Sequence, residues 1–339
     1  MNSRERFQAV LAGEIPDMVP VIPVVDGFFA PGLTGRPSDE CWQDNDCLAG
    51  ALALALERFG MDGVVAEMGL GPAPEVLGCP VQIEGNEVPL VTDRLVETRA
   101  DLEKITVPDP WSGGKMEPVE RLVALAGGDS VILGAVRSPF EYAATVRGLL
   151  DFMGDFYRDP ELVRDLIAAC LPATLAVGRA LAEAGVDAVV VKDSFASTSM
   201  ISPDHYREFA YPAEREAVAG LEGIPVILHV CRNSLPILPL MAATGAAVLE
   251  IDSPVDLRQA REAAGDAVVL KGNIDAVSVI EKGTAADVDA AVSAAIDAAR
   301  GGKFILSTGD SVPLSAPEEN LAALVASGRR YGKYQGGDA

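Results

Sequence analysis

Short runs of β-branched and aliphatic residues recur along the chain, and most are followed by a longer stretch of helical periodicity. The runs lie near residues 19, 63, 131, 187, 225, 247, 268 and 304. Apolar runs of this length, bounded by glycine, proline or charged residues, are typical of buried strands. The pattern therefore predicts eight strands that alternate with helices.

The clearest helical stretches lie at about residues 3–12, 44–59, 284–299 and 316–332. A long helical region at about residues 139–185 has a break near Asp159-Pro160, and Ser202-Pro203 predicts the N-cap and first position of a further helix. Residues 70–113 are irregular. Their β-like pieces, Val81-Gln-Ile-Glu84 and Leu95-Val-Glu97, predict a small hairpin inserted after the second strand.

Eight β/α units in one chain of 339 residues favour a (β/α)8 TIM barrel, with residues 1–339 as a single domain. A doubly wound open sheet is the alternative. No Gly-x-Gly-x-x-Gly follows any of the strands, so the sequence gives that alternative no support.

The formal charge of −23 disfavours nucleic acid and anionic membranes as partners. The N-terminus lacks the apolar segment of a signal peptide, and the longest uncharged run, residues 233–249, is interrupted by prolines and too short for a bilayer span. Five cysteines, of which Cys41 and Cys47 have no common metal-binding spacing, predict reduced thiols. These features together predict a soluble cytoplasmic protein.

Almost every predicted strand ends in a polar residue. In a barrel of this kind the carboxyl ends of all strands meet at one face, so these side chains are the candidate site residues. They are Asp26, Glu67, Arg137, Asp193, His229 with Cys231, Asp252, Asn273 and Asp310.

The strongest chemical signal is His229-Val-Cys231 at the end of the fifth strand. Residues two apart on a strand point to the same side, and an imidazole beside a thiolate forms half of a zinc site. A buried histidine and an inert thiol are the plain alternative. Asp310 is the first choice for a third ligand, with Glu67, Glu75 and Asp252 in reserve. Cys79 is a weaker candidate for the site, and His205 is expected at the surface.

Several segments in order resemble the uroporphyrinogen decarboxylase superfamily, and within it the cobalamin-dependent methyltransferases similar to methylcobalamin:coenzyme M methyltransferase. The segments are Arg4-Glu-Arg6 with Gly13-Glu-Ile-Pro-Asp17, Glu75-Val-Leu-Gly78, Ser138-Pro-Phe140, Ala184-Gly-Val-Asp187 with Asp193, Ile201-Ser-Pro203, His229-Val-Cys231, Gly272-Asn273 and Pro317-Glu-Glu-Asn320.

The resemblance implies a zinc site formed by the His-x-Cys pair and a later residue. That later position, often cysteine in the family, falls at Asp310. The decarboxylase branch has an arginine-rich N-terminal loop that binds propionates. The corresponding residues 26–35 contain no arginine, which favours the methyltransferase branch.

The resulting hypothesis is a zinc-dependent methyltransferase that moves a methyl group between a corrinoid and a small thiol, folate, methoxy or methylamine substrate. Glu67 and Asp193 are the candidate catalytic residues, and Arg137, Asn273, Asp252 and Asp26 would bind substrate, with Arg137 facing an anionic end. The chain lacks the Asp-x-His-x-x-Gly cobalamin signature, so a partner protein would supply the corrinoid. A homodimer is left open. The alternatives are a metal-free decarboxylase and a non-catalytic barrel that binds a ligand or a corrinoid protein.

Overall fold

Seven parallel strands form one curled sheet in the computed structural model, which describes residues 1–67, 77–79, 81–82, 90–91, 93–107 and 109–334. Neighbouring strands of the sheet are consecutive in the chain, with the order β1-β4-β5-β6-β7-β8-β9. Helices follow most of these strands and cover the outer face. The strands are β1 Gly63–Ala66, β4 Val131–Arg137, β5 Ala188–Asp193, β6 Val226–Val230, β7 Val248–Ile251, β8 Val269–Ile274 and β9 Phe304–Thr308, and a separate antiparallel pair contains β2 Val81–Gln82 and β3 Leu90–Val91.

The predicted helices are confirmed to within about two residues, and the long region at 139–185 is three helices because Gly148, at φ 83°, adds a second break. The α-helices are α1 Ser3–Ala12, α2 Ser38–Trp42, α3 Asn45–Phe59, α4 Glu117–Leu125, α5 Pro139–Arg147, α6 Leu149–Arg158, α7 Pro160–Glu183, α8 Pro203–His205, α9 Tyr211–Gly220, α10 Leu238–Ala242, α11 Leu257–Ala264, α12 Ala285–Ala299 and α13 Glu318–Tyr331. Ser202 caps α8 as expected, accepting the His205 N–H.

Alternate residues of each strand belong to two different apolar clusters. One side packs against the helices, as Val189 and Val191 do, and the other side forms a compact inner cluster that includes Val190, Ile227 and Val248. The inner cluster fills the amino-terminal half of the curled sheet. The next inward residue of each strand, toward its carboxyl end, is polar. These residues line the opening at the carboxyl-terminal end of the sheet, which we call the mouth.

The first predicted strand, residues 19–25, is not a regular strand. Pro20 and Pro23 have no backbone N–H, so a continuous hydrogen-bond ladder cannot form. The segment nevertheless bonds both edges of the sheet. Ile22 N donates to Leu306 O at 2.9 Å, and Val65 N donates to Val25 O at 2.9 Å. Seven of the eight predicted strands are therefore confirmed. The remaining segment, residues 19–25, joins β9 to β1 through isolated hydrogen bonds.

Helix α1 covers the amino-terminal end of the strands. Phe7 and Val10 pack into the inner cluster. Arg6 forms an ion pair of 2.7 Å with Asp62, which directly precedes β1. Among the described residues, α1 thus closes the amino-terminal end, and a site is expected at the carboxyl-terminal end.

The second strand of the predicted hairpin was placed wrongly. Leu95 and Val96 both donate their N–H groups to Val146 O of α5, at 2.9 Å each, and are not in a strand. The strand that pairs with Val81–Gln82 is Leu90–Val91. Residues 83–89, which join the two, and Glu75 lie outside the described residues.

The expectation of five reduced thiols was wrong for one pair: Cys41 and Cys47 form a disulfide. The turn between α2 and α3 brings their Cα atoms to 5.2 Å, which is within the range a disulfide requires. Spacing along the sequence does not reveal this proximity. Cys79 and Cys170 are buried free thiols, and Cys231 is a partly exposed one.

The disulfide is expected to stabilise the protein by about 2 kcal/mol, because closing so short a loop removes limited entropy from the unfolded chain. Reduction under native conditions should lower the free energy of unfolding by that amount in urea titrations. A Cys41→Ser/Cys47→Ser variant should have the stability of the reduced protein with or without reductant. A wild-type protein with five thiols titratable in denaturant before any reduction would contradict the assignment.

Among the described helices, α7 is long and apolar enough to cross a membrane by length and composition. Half of its apolar window is buried against the rest of the protein. Core helices of soluble proteins pass the same test, so this feature is weak support for a membrane span.

Candidate active site

Five polar residues lie side by side across the inner face of the sheet. The strand register pairs Arg137 with Lys192, Lys192 with His229, His229 with Glu250, and Glu250 with Lys271. Parallel strands in register place these inward side chains in one row. The row lies directly above the inner apolar cluster and forms the floor of the mouth.

His229, Cys231 and Asp310 converge on one point of the mouth. Their ligand atoms all lie within 4.8 Å of one another, and His229 Nε2 is 3.2 Å from Cys231 Sγ. Two ligands of a tetrahedral zinc, about 2.1 and 2.3 Å from the metal, lie about 3.6 Å apart. One nitrogen, one sulfur and one carboxylate oxygen are also donors that zinc accepts. The three residues thus fit a metal ion, with His229 buried and the other two partly exposed.

Glu250 supports the other side of the histidine. His229 Nδ1 lies 3.0 Å from Glu250 Oε1, an ion-pair contact whose angles are not those of a well-formed hydrogen bond. A carboxylate behind a histidine fixes the ring and directs Nε2 at a metal. Lys271 contacts the other Glu250 oxygen and lies 2.9 Å from Ser307 Oγ. Burial opposes ionisation of Glu250, but the Lys271 charge and His229 outweigh it and hold the Glu250 pKa well below its ordinary value.

A second charged cluster lies beside the metal-type residues. Lys192 contacts Glu67, and Arg137 lies 2.9 Å from Glu67 and 3.4 Å from Glu141. Burial would raise the Glu67 pKa, but Lys192 and Arg137 outweigh it and lower that pKa. Arg137, which the sequence suggested for anion binding, is therefore already paired with two carboxylates.

Asp26 is fully buried at the edge of this cluster. Its side chain accepts hydrogen bonds from Ser311 Oγ at 2.6 Å and from Phe28 N at 2.9 Å. Burial and the nearby Glu67 charge raise the Asp26 pKa to about 7. Ser311 N in turn donates to Asp310 at 2.8 Å, so Ser311 links Asp26 to the candidate metal ligand.

Asp252 and Asn273 hold loops around the mouth. Asp252 accepts the backbone N–H of Arg232 at 2.7 Å, and Arg232 has a φ of 60° that side chains rarely adopt. Asn273 donates to Val255 O at 2.6 Å. The Asp252 contact fixes the chain directly after Cys231, so this carboxylate orients the thiol.

Asp193 does not point into the mouth. It follows Val189 and Val191 on the outer side of β5, because alternation places Lys192, and not its neighbour, inside. Ser138 donates its hydroxyl to Asp193, and Ala196 N donates at 3.0 Å. The catalytic role predicted for Asp193 is therefore dropped in favour of a structural one. This contact holds Ser138, which directly follows Arg137.

Glu214 is buried close to Asp193 and accepts the Tyr206 hydroxyl. Burial raises the Glu214 pKa to about 7 from 4.5, so the folded state binds this proton more tightly than the unfolded state. The stability that protonation supplies is fully present below about pH 4.5 and is lost as the pH rises through 7.

The Glu214→Gln variant should consequently show a flatter dependence of unfolding free energy between pH 5 and 8. At pH 8 it should exceed the wild type by on the order of 2 kcal/mol. Glu216→Gln, an exposed change on the same helix, is the control and should leave the pH profile unaltered. Parallel profiles for Glu214→Gln and wild type would disprove the buried, neutral carboxyl.

The two remaining candidates are His205 and Cys79. His205 packs among aromatic rings, with centroids 4.9 Å from Phe156 and 5.2 Å from Tyr157, and is half-buried where a surface position was expected. Burial raises the pKa of the Cys79 thiol to about 11, which disfavours reactivity.

Sequence reasoning missed Lys192, Glu250 and Lys271 as site residues. Each is a charged residue within an otherwise apolar buried strand. Lys192 directly precedes the predicted site residue Asp193, whereas Glu250 and Lys271 lie two positions before the predicted site residues that follow them. A lysine that is 0–4 % exposed must be paired. That signal was present in the sequence and could have located the row.

A parallel curled sheet with a metal-type cluster at its carboxyl end defines the general class of this protein. The chain belongs to the uroporphyrinogen decarboxylase (URO-D) family, whose model matches residues 2–331.

Its relatives include both branches of that family. A methylcobamide:CoM methyltransferase of Methanosarcina mazei is 27 % identical over 279 residues, 80 % of this chain and 81 % of the relative. A uroporphyrinogen decarboxylase of Rhizorhabdus wittichii is 27 % identical over 299 residues, 84 % and 83 % of the two chains. A solved methyltransferase structure from Methanosarcina mazei has a TM-score of 0.89 at 24 % identity, covering 98 % of this chain and 99 % of that one, and so shares the fold.

Proposed function

We propose that this chain is a zinc-dependent methyltransferase that moves a methyl group between a corrinoid on a partner protein and a small substrate. The observation that supports this most is the convergence of His229, Cys231 and Asp310 within 4.8 Å. The proposal includes a single-domain (β/α)8 barrel of residues 1–339 that works in the cytoplasm. Relatives named methylcobamide:CoM methyltransferases support the reaction class.

The metal, when bound by these residues, would lower the pKa of a substrate thiol or polarise the heteroatom of a methylated substrate. Asp310 stands where the family resemblance implies a thiolate. A carboxylate donates less charge than a thiolate, which leaves a metal more electrophilic. This favours polarising a substrate heteroatom.

The chain's own residues position the substrate around that point. Glu250, which is paired with Lys271, orients the His229 ring, and Asp252 holds the backbone after Cys231. Glu67 and Lys192 form a buried pair whose carboxylate could accept a hydrogen bond or proton from the substrate. Asn273 fixes the loop after β7. Asp26, whose pKa burial raises to about 7, would be a protonated acid below that pH and is linked to Asp310 through Ser311.

The corrinoid would come from a separate protein that docks over the mouth, because the chain lacks a cobalamin-binding signature. Helix α1 covers the opposite end of the strands. Approach from the carboxyl-terminal end would bring the cobalt-bound methyl group toward Cys231 and Asp310, the two partly exposed members of the cluster.

Metal analysis of purified protein tests the proposal. About one zinc per chain is expected, with zinc-dependent methyl transfer from or to free cobalamin. Asp310→Ala should weaken zinc binding by about 100-fold or more in chelator competition, since even outer-shell changes cost about 10–100-fold. Asp204→Ala, which removes an exposed carboxylate that is not among the three convergent donors, is the control.

Other results would favour the alternatives. Zinc-free protein that decarboxylates a porphyrinogen would support the decarboxylase branch. One zinc per chain without methyl transfer to any thiol, amine or methoxy-aromatic compound would support a non-catalytic binding role.

A further inference from the structure

Each cation on the floor of the mouth is already neutralised by a carboxylate. Lys271 contacts Glu250, Lys192 contacts Glu67, and Arg137 contacts Glu67 and Glu141. Lys271 and Lys192 are 0 % and 4 % exposed, so water contributes little to their solvation. An anion that entered the mouth would have to displace one of these carboxylates and leave it buried without a partner, which is unfavourable.

Further carboxylates face the same space. Asp26 and Asp310 both act electrostatically on Lys192, and Asp252 lies at the rim. A zinc ion would carry two positive charges, but the Cys231 thiolate and Asp310 balance them. Asp252 has no balancing cation among the buried pairs, so with Asp26 protonated the lining is neutral only when the rim arginine, Arg232, is counted, and it is negative when Asp26 is ionised.

The stretches outside the described residues contain no further basic side chain. Residues 68–76, 80, 83–89, 92, 108 and 335–339 contain no lysine or arginine, whereas they contain Glu75, Glu84, Glu87 and Asp338. Arg232 is the nearest basic residue to Cys231 in sequence. It is exposed at the rim, and its backbone N–H is what Asp252 binds.

We propose that the substrate of this site ends, away from its methyl-carrying atom, in a neutral or cationic group and not in a sulfonate, carboxylate or phosphate. The inference rests on the function proposed above and narrows its substrate class. Methylated amines, neutral thiols and uncharged methoxy compounds fit the lining, whereas thiols with an anionic tail do not. The overall charge of −23 acts in the same direction during encounter.

A comparison of three thiols of equal chain length distinguishes the effect of the tail charge from the effect of thiol binding to the metal. Cysteamine is cationic, 2-mercaptoethanol is neutral and 2-mercaptoethanesulfonate is anionic. Binding to zinc-loaded protein is measured by calorimetry at pH 7.5, with each affinity corrected for the thiolate fraction. We expect the sulfonate to bind at least about 10-fold more weakly than the other two, because it can reach a buried cation only by displacing the carboxylate already paired with it.

Two variants test the cause. Glu67→Gln leaves Lys192 and Arg137 with one carboxylate fewer and should strengthen sulfonate binding by about 10-fold while weakening cysteamine binding. Arg232→Gly, which suits the backbone φ of 60°, should leave the order of affinities unchanged. A wild-type preference for the sulfonate, equal affinities, or no binding of cysteamine at millimolar concentration overturns the inference.

Zinc content is measured on the same samples. Protein without zinc contradicts the proposed function, whereas zinc-loaded protein that prefers the sulfonate contradicts only the substrate class. If Arg232→Gly abolishes a sulfonate preference, the rim arginine and not the buried pairs selects the tail, and the inference is again overturned.

Discussion

The His229→Ala variant is expected to contain less than about a tenth of the zinc of the wild type and to lose methyl transfer by about 10³-fold or more. The imidazole is one of three convergent donors, and Glu250 lies behind it and orients it. A metal centre contributes several kcal/mol to the transition state, which corresponds to a rate effect of about this size. Zinc is measured by mass spectrometry and transfer by cobalamin absorbance.

His205→Ala is the matched control, because the chain has only these two histidines and His205 packs among aromatic rings. It should keep full zinc content. Full zinc and full activity in His229→Ala would remove the metal centre from the proposal, whatever the fold. Full zinc with no activity would show that other residues hold the metal and that His229 acts on the substrate.

The Lys271→Met variant should lose about 3–5 kcal/mol of unfolding free energy. Lys271 is 0 % exposed and contacts Glu250, which is 1 % exposed. Removing one partner of a buried ion pair leaves an uncompensated charge, which is destabilising by about this amount. The measurement is a urea titration at pH 7, and a parallel loss of zinc affinity is expected because Glu250 orients His229.

The double variant Lys271→Met/Glu250→Gln distinguishes the ion pair from simple packing. It removes both charges at once, so at least half of the lost stability should return, although zinc affinity should stay low. If the unfolding free energy of Lys271→Met lies within about 1 kcal/mol of the wild-type value, Glu250 binds a proton in the variant at little cost, and the buried pair is not charged.

The fold was largely predictable because strand and helix periods differ and alternate regularly along the chain. Residues 19–25 were the exception. Their apolar pattern is that of a strand, yet Pro20 and Pro23 remove two donors, so the segment bonds its neighbours without a regular ladder. The hairpin strand was misplaced because Leu95 and Val96 satisfy their N–H groups on a helix carbonyl, which no local pattern records.

The candidate metal residues were predictable for a different reason. Spacing of two on a strand determines that His229 and Cys231 share a side, and strand ends determine where Asp310 lies. The same alternation, applied to β5, would have placed Lys192 inside and Asp193 outside. Pairings such as Lys271 with Glu250 depend on the register between strands, and the disulfide of Cys41 with Cys47 depends on the path of a turn. Neither is visible in the sequence alone.

The bonds between residues 19–25 and β9 have a consequence for biosynthesis. Ile22 N donates to Leu306 O, so the hydrogen bonds on this side of residues 19–25 cannot form until β9 has been synthesised. A nascent chain that ends after α12 but before β9 has an open sheet whose first edge lacks its neighbour, and contacts so distant in sequence form slowly. Nascent chains stalled before residue 304 should therefore bind chaperones and be cleaved readily by proteases. Chains that include α13 should do neither.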